Sequence, residues 1–187
     1  MSEKSLGLSP VFWRHSAAEL KKIRSLAGGG LLAALGIALE AFQIVISQLL
    51  QIGFSFLATA LSGWMYGPLV AGLSAMVIDV LGYMLHPTGP FFAGFTLNAF
   101  LTGFLYGLFY YRRKITLWRV LAAEAAVMLV VSFLLNPLWL HMMYGQAWLP
   151  LILLRIPKNA VMLPVNTALS YALLQLLQRL RPQDTPS

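Results

Sequence analysis

The chain has 187 residues, 59% of them hydrophobic and 10% charged, with a mean hydropathy of +0.75 and a net charge of +7. So apolar a composition excludes a soluble globular domain. A spanning helix needs ~20 mostly apolar residues, so this length holds about six spans in one domain and leaves no room for a soluble catalytic domain beside them.

Residues 1–25 read as a cytoplasmic lead-in without a removable signal peptide, because the first apolar run begins only at Leu26 and no small-residue cleavage site follows. Lys21, Lys22 and Arg24 precede span 1, 26–46, and the positive-inside rule places them in the cytoplasm. A polar break at Ser47, Gln48, Gln51 and Gly53 reads as the first outer loop. Span 2, 54–66, returns to Gly67-Pro68, and span 3, 69–85, leads out to His86-Pro87-Thr88-Gly89-Pro90, a run of loop-forming residues. Span 4, 91–111, stops at Arg112-Arg113-Lys114, with Arg119 nearby, which is the cytoplasmic cluster this layout requires. Span 5 runs from 117 to about 140 with an interruption at Asn136-Pro137, and a longer outer loop, 141–154, follows. Span 6, from about 156 to 177, returns to Arg179 and Arg181, so both termini, including the tail 182–187, are expected in the cytoplasm. The absence of cysteine excludes disulfides and thiolate metal sites. The cations stand in short clusters beside apolar runs, a topology signal rather than a nucleic-acid face, and membrane lipid is the expected surrounding.

Arg155 and Lys158 break the charge pattern, since they alone among the thirteen Lys and Arg fall on the outer side. If the last helix begins near Ile156, Pro157 occupies its first turn, and the unpaired N–H groups there favour an anion beside Lys158 and Asn159. Arg155, Lys158, Asn159 and Met162 follow i, i+3, i+4, i+7 spacing and share a side. A ligand anion, a lipid phosphate or an internal partner would each satisfy them.

Three carboxylates lie within spans, where an ionisable group is costly and is a functional hypothesis by default. Glu124 sits near the cytoplasmic end, within reach of Arg119 or Arg113, and reads as structural. Glu40 and Asp79 fall in the outer half with Gln43, Asn98, Asn136 and His141, which outlines a polar pocket open to the outside; alternatively the carboxylates pair with Arg155 and Lys158. His86 and His141 read as loop or interface residues without metal-ligand spacing. Most of the aromatics near the outer end, among them Phe92, Trp139 and Trp148, read as an interfacial belt, with one or two available to stack on a planar ligand. In span 1, Gly30, Ala34 and Ala38 at four-residue spacing form a small-residue stripe that admits a second helix, either a partner's or one of the bundle's own. No Walker phosphate loop, HExxH pair or nucleophile elbow occurs, so any uphill transport draws its energy from elsewhere.

The order and spacing of Phe54-Ser55-Phe56-Leu57, Gly63-Trp64-Met65-Tyr66-Gly67-Pro68, Asp79 to His86-Pro87, Gly89-Pro90-Phe91-Phe92-Ala93-Gly94-Phe95-Thr96, Gly103 to Gly107 and Leu154-Arg155-Ile156-Pro157-Lys158-Asn159 through Pro164 resemble a known family. The chain is similar to the folate-specific substrate-binding (S) subunits of energy-coupling factor (ECF) vitamin transporters. The resemblance implies an all-α, six-helix membrane subunit in a prokaryotic plasma membrane that is not an enzyme and carries no cofactor. It captures its vitamin from outside and topples on joining a module of one transmembrane coupling subunit and two ATPase subunits. Gly30, Ala34 and Ala38 would dock on the coupling subunit.

A folate joins a flat pterin, with N–H donors and carbonyl acceptors on its edge, to a glutamate dicarboxylate. Arg155, Lys158 and Asn159 suit the tail, while Asp79, Glu40 or Asn98 suits the pterin edge, and aromatic faces such as Phe92 suit the ring. His86 completes the candidate substrate-binding set. Two outward cations argue against thiamine, itself a cation. An S subunit for riboflavin or pantothenate, a ligand-free assembly protein and a lipid-acting enzyme are the alternatives, the last without an evident nucleophile and base.

Overall fold

A computed structural model describes residues 10–40, 42, 44–47, 50–87, 90–145 and 148–180. Lys4, Gln43, Gln48, Thr88, Gly89, Arg181 and the tail 182–187 lie outside the described residues, as does the side chain of Trp148.

Among the described residues, eight helices and one hairpin follow in order: α1 (Pro10–Glu19), α2 (Ile23–Glu40), β1 (Ile44–Ser47), β2 (Leu50–Ile52), α3 (Ser55–Tyr66), α4 (Pro68–Leu85), α5 (Ala93–Tyr110), α6 (Leu117–Val127), a π-helical segment (Met128–Leu135), α7 (Asn136–Tyr144) and α8 (Trp148–Leu180). The chain runs up and down between two ends. The base holds α1, the α3–α4 corner, the α5–α6 turn and the end of α8; the rim holds the hairpin, the α4–α5 connection and the α7–α8 turn.

Among the described residues, four stretches are long and apolar enough to cross a membrane: Ile23–Glu40, Pro68–Leu85, Leu117–Tyr144 and Arg155–Leu180. The short α3 packs against α2, α4 and α5, and α5 has α4 as its most extensive neighbour. Close approach there depends on glycine: a Cβ on Gly103 or Gly107, four residues apart on α5, would collide with the backbone of Ala71 or of Pro68 at the start of α4.

Several sequence expectations change. The lead-in contains α1, which opens on Pro10, where a missing N–H costs nothing. Span 1 stops at Glu40 rather than reaching 46, and the β-branched run Ile44-Val45-Ile46 pairs antiparallel with Leu50–Ile52, so among the described residues the fold is all-helical apart from this hairpin. Asn136-Pro137 does not interrupt its span. The Asn136 N–H donates to Val131 five residues back, and this wider winding accommodates Pro137, which has no N–H to give. The expected outer loop 141–154 is largely helical, because α7 continues to Tyr144 and α8 begins at Trp148.

The base is locked by polar contacts. Glu124 is buried, and its carboxylate accepts from Tyr106 Oη at 3.0 Å and Ser170 Oγ at 2.9 Å, with Tyr110 stacked on Tyr106 at 5.6 Å. Those donors are hydroxyls rather than the arginine expected from sequence; Arg119 Nη1 donates instead to the Lys114 carbonyl. Glu19, at the end of α1, accepts from Lys22 at 2.9 Å, Ser25 at 2.5 Å and Tyr111 at 3.2 Å, tying α1 and α2 to the end of α5. Burial opposes its charge, but these donors outweigh that and hold the carboxyl below its ordinary range. Burial first, then the Glu19 charge, push the Tyr111 phenol up to about 12.

Candidate functional site

The rim gathers the polar groups around the first turns of α5. On its α4 side, Thr96 Oγ1 donates to Asp79 Oδ2 at 2.7 Å. Glu40, the last residue of α2, lies against Gly82, one turn beyond Asp79, where a Cβ would run into its carboxylate. Glu40 and Asp79 are close enough for their charges to interact. Glu40 Oε2 is buried without a hydrogen-bond partner among the described residues.

On the α7 side, Asn98 is 5% exposed and uses both ends of its amide. Its Nδ2 donates to Asn136 Oδ1 at 2.8 Å, and its Oδ1 accepts from Trp139 Nε1 at 3.0 Å. Phe92, immediately before α5, lies 5.6 Å from Trp139 and 6.1 Å from Phe95, centroid to centroid. His86 is exposed, and its backbone N–H caps α4 by donating to Gly82 at 2.8 Å. His141 is exposed in the last turn of α7.

Arg155, Lys158 and Asn159 share one side of α8, but inside the helix, because α8 extends back to Trp148. The expectation of free first-turn N–H groups beside them is therefore corrected. What Pro157 and Pro164 do instead is deprive the carbonyls of Leu153 and Ala160 of their i+4 donors. Arg155 and Lys158 are half-buried, and Asn159 is 8% exposed with its Nδ2 lacking a partner among the described residues. An uncompensated buried amide is costly, and an acceptor from outside the chain would relieve it.

The small residues of α2 divide between two faces. Gly29, Ala33 and Gly36 are buried, with Ser74 Oγ donating to the Gly29 carbonyl at 3.1 Å. Gly30, Ala34 and Ala38 are exposed, and a Cβ on Gly30 would meet nothing within 4 Å.

Sequence reasoning missed Thr96 as the partner of Asp79, and the Asn98–Asn136–Trp139 unit. The available signal for the latter was two amides within apolar spans, each of which needs a partner. Spacing alone does not say which two meet.

Residues 24–174 match the family model described as ECF transporter, substrate-specific component. Two curated relatives are each named Folate transporter FolT. The one from Clostridium novyi is 35% identical over 161 residues, covering 86% of this chain and 94% of the relative. That of Leuconostoc mesenteroides is 37% identical over 148 residues, covering 73% and 80%. A solved structure described as FolT bound with folic acid superposes with a TM-score of 0.75 at 36% identity, covering 81% of this chain and 93% of that one. The chain belongs to the substrate-specific components of ECF transporters.

Proposed function

We propose that this protein is the folate-binding subunit of an ECF importer, capturing folate at its rim and delivering it with a separate ATP-driven module. Relatives of one name and a folate-bound neighbour support the substrate. The observation that carries the reading to particular residues is the pair of buried rim atoms without a partner among the described residues: Glu40 Oε2 is an acceptor and Asn159 Nδ2 a donor. A folate presents the complement. The carboxylates of Glu40 and Asp79 accept from the pterin edge, Arg155, Lys158 and Asn159 hold the glutamate tail, Phe92 covers the ring, and His86 stands at the mouth.

In this reading residues 1–187 form one domain with six spans, α3 and α5 completing the four long ones. Arg14, Lys21, Lys22, Arg24, Arg112, Arg113, Lys114, Arg119 and Arg179 all belong to the base, which places the base and both termini in the cytoplasm of a bacterial cell and the rim outside. The exposed stripe Gly30, Ala34 and Ala38 receives a helix of the coupling subunit, and two ATPases complete the transporter.

Isothermal titration of the ligand-stripped subunit with folate, riboflavin and pantothenate tests this. Tight one-to-one binding of folate alone is expected. Binding of a control vitamin instead overturns the ligand, and no binding by a folded sample overturns the transport role.

A further inference from the structure

We infer that Asn98 is a positioning residue that presents Trp139 as the aromatic platform for the flat ring of the ligand, an inference that rests on the folate-binding reading. Asn98 Oδ1 is engaged by the Trp139 indole and its Nδ2 by Asn136, so the amide joins α5 to two residues of α7 that lie one turn apart. Asn136 and Trp139 reach it together because they are i and i+3 on one helical face.

The indole is fixed on further sides. Phe92 meets it at 5.6 Å with the rings inclined by 52°. Its Cδ2 lies over Gly94, where a Cβ would come within 2.7 Å of it. Trp139 is nevertheless only partly buried. Asp79 and Glu40 approach the first turns of α5 from the α4 side and Trp139 from the α7 side. A planar heterocycle lying over that turn has its edge read by the carboxylates and its face covered by the indole. Preset aromatic platforms bind flat rings by stacking and spend no ligand energy on ordering the side chain.

The π-helical segment sets the register. Its i→i−5 bond from Asn136 to Val131 widens the helix just before α7. Without it Asn136 and Trp139 would turn roughly 100° away from Asn98, the rotation of one residue in an α-helix.

The test is a double-mutant cycle on folate affinity, with unsubstituted pterin, which lacks the tail, as second ligand. Trp139→Leu is expected to weaken both ligands alike, by about 10-fold or more, within the range of base–aromatic stacking. Trp139→Phe and Asn98→Ala each remove the indole-to-amide bond, so the double variant is expected to bind no worse than Asn98→Ala alone. Gly94→Ala, whose Cβ would press on Phe92 and, at 2.7 Å, on the indole while leaving the hydrogen-bonding groups in place, is expected to weaken both ligands as well.

Native folate affinity retained in Trp139→Leu, or full additivity of Asn98→Ala with Trp139→Phe, overturns the proposal while leaving folate binding intact. Failure of the native chain to bind folate overturns both. Should Trp139→Leu not fold, the cycle of Asn98→Ala with the conservative Trp139→Phe decides alone.

Discussion

The base and the rim each bury a carboxylate within the bundle, yet they treat it in opposite ways. At the base, Glu124 finds a hydroxyl for each oxygen, from α5 and from α8. The base atoms left over among the described residues, the Ser16, Ser62 and Tyr110 hydroxyls, are neutral. At the rim, Glu40 and Asp79 stand together, and among the described residues a Glu40 oxygen is left over and Asn159 keeps an unused amide beside two cations. A polar group inside a membrane is costly in either place. Where its bonds close within the chain it holds helices together, and where they do not it is available to something that arrives.

This contrast can be broken most severely from outside the bundle. Replacing Ala34 and Ala38 by Trp is expected to abolish folate uptake in cells that hold the whole transporter, while the isolated subunit keeps native affinity; lost affinity would place the stripe in the subunit's own packing. Arg155→Gln with Lys158→Gln is expected to lower folate affinity by roughly 100-fold or more, two charge-assisted hydrogen bonds' worth, and to leave pterin binding nearly unchanged. Equal losses for both ligands would assign the cations to the fold.

At the base, Glu124→Ala strips two buried hydroxyls of their acceptor and is expected to cost about 3 kcal/mol of stability, read as a lower Tm in detergent, with folate affinity retained in the folded fraction. A native Tm would remove Glu124 from the framework. Asp79→Asn, which keeps the shape but not the charge, is expected to weaken pterin and folate equally, by about 10-fold.

The smallest effect concerns Glu19. Its folded carboxyl is held below the ordinary 4.5, so its contribution is present above that pH and fades as pH falls through the folded value. The raised Tyr111 phenol contributes below its ordinary 10 and loses that contribution as pH rises toward about 12. Glu19→Gln is therefore expected to lower stability by about 1 kcal/mol at pH 7, with the difference closing in acid. A Tm gap that does not change with pH would deny Glu19 this role.

Helix-length apolar runs, the cationic clusters and the small-residue stripe are properties of composition and spacing, so α3, α4, α5 and the start of α6 were legible to within about two residues, whereas the expected span 1 ran six residues past the end of α2, into β1. The boundaries of α8 and the continuity of α7 were not. Pro157 and Asn136-Pro137 look like helix ends locally, and only tertiary packing and a π-turn carry the helices through them. Within the site, the rim location of Glu40, Asp79, Asn98, Arg155 and Lys158 followed from topology. Thr96 on Asp79 and Trp139 on Asn98 join different helices, and that pairing depends on how α4, α5 and α7 are turned about their axes.

Helix α8 has 33 residues, roughly 50 Å at 1.5 Å per residue, against a hydrocarbon layer of about 30 Å. It must lean or overshoot, and Arg155 and Lys158 interrupt an apolar run that already begins at Trp148. Long cationic side chains can reach from such positions toward headgroups, and phosphate presents to them the same chemistry as a carboxylate. Lipid and ligand then compete. Titrations in nanodiscs should show folate affinity falling as the anionic lipid fraction rises, and a subunit indifferent to lipid charge would mean that its cations are walled off from the bilayer.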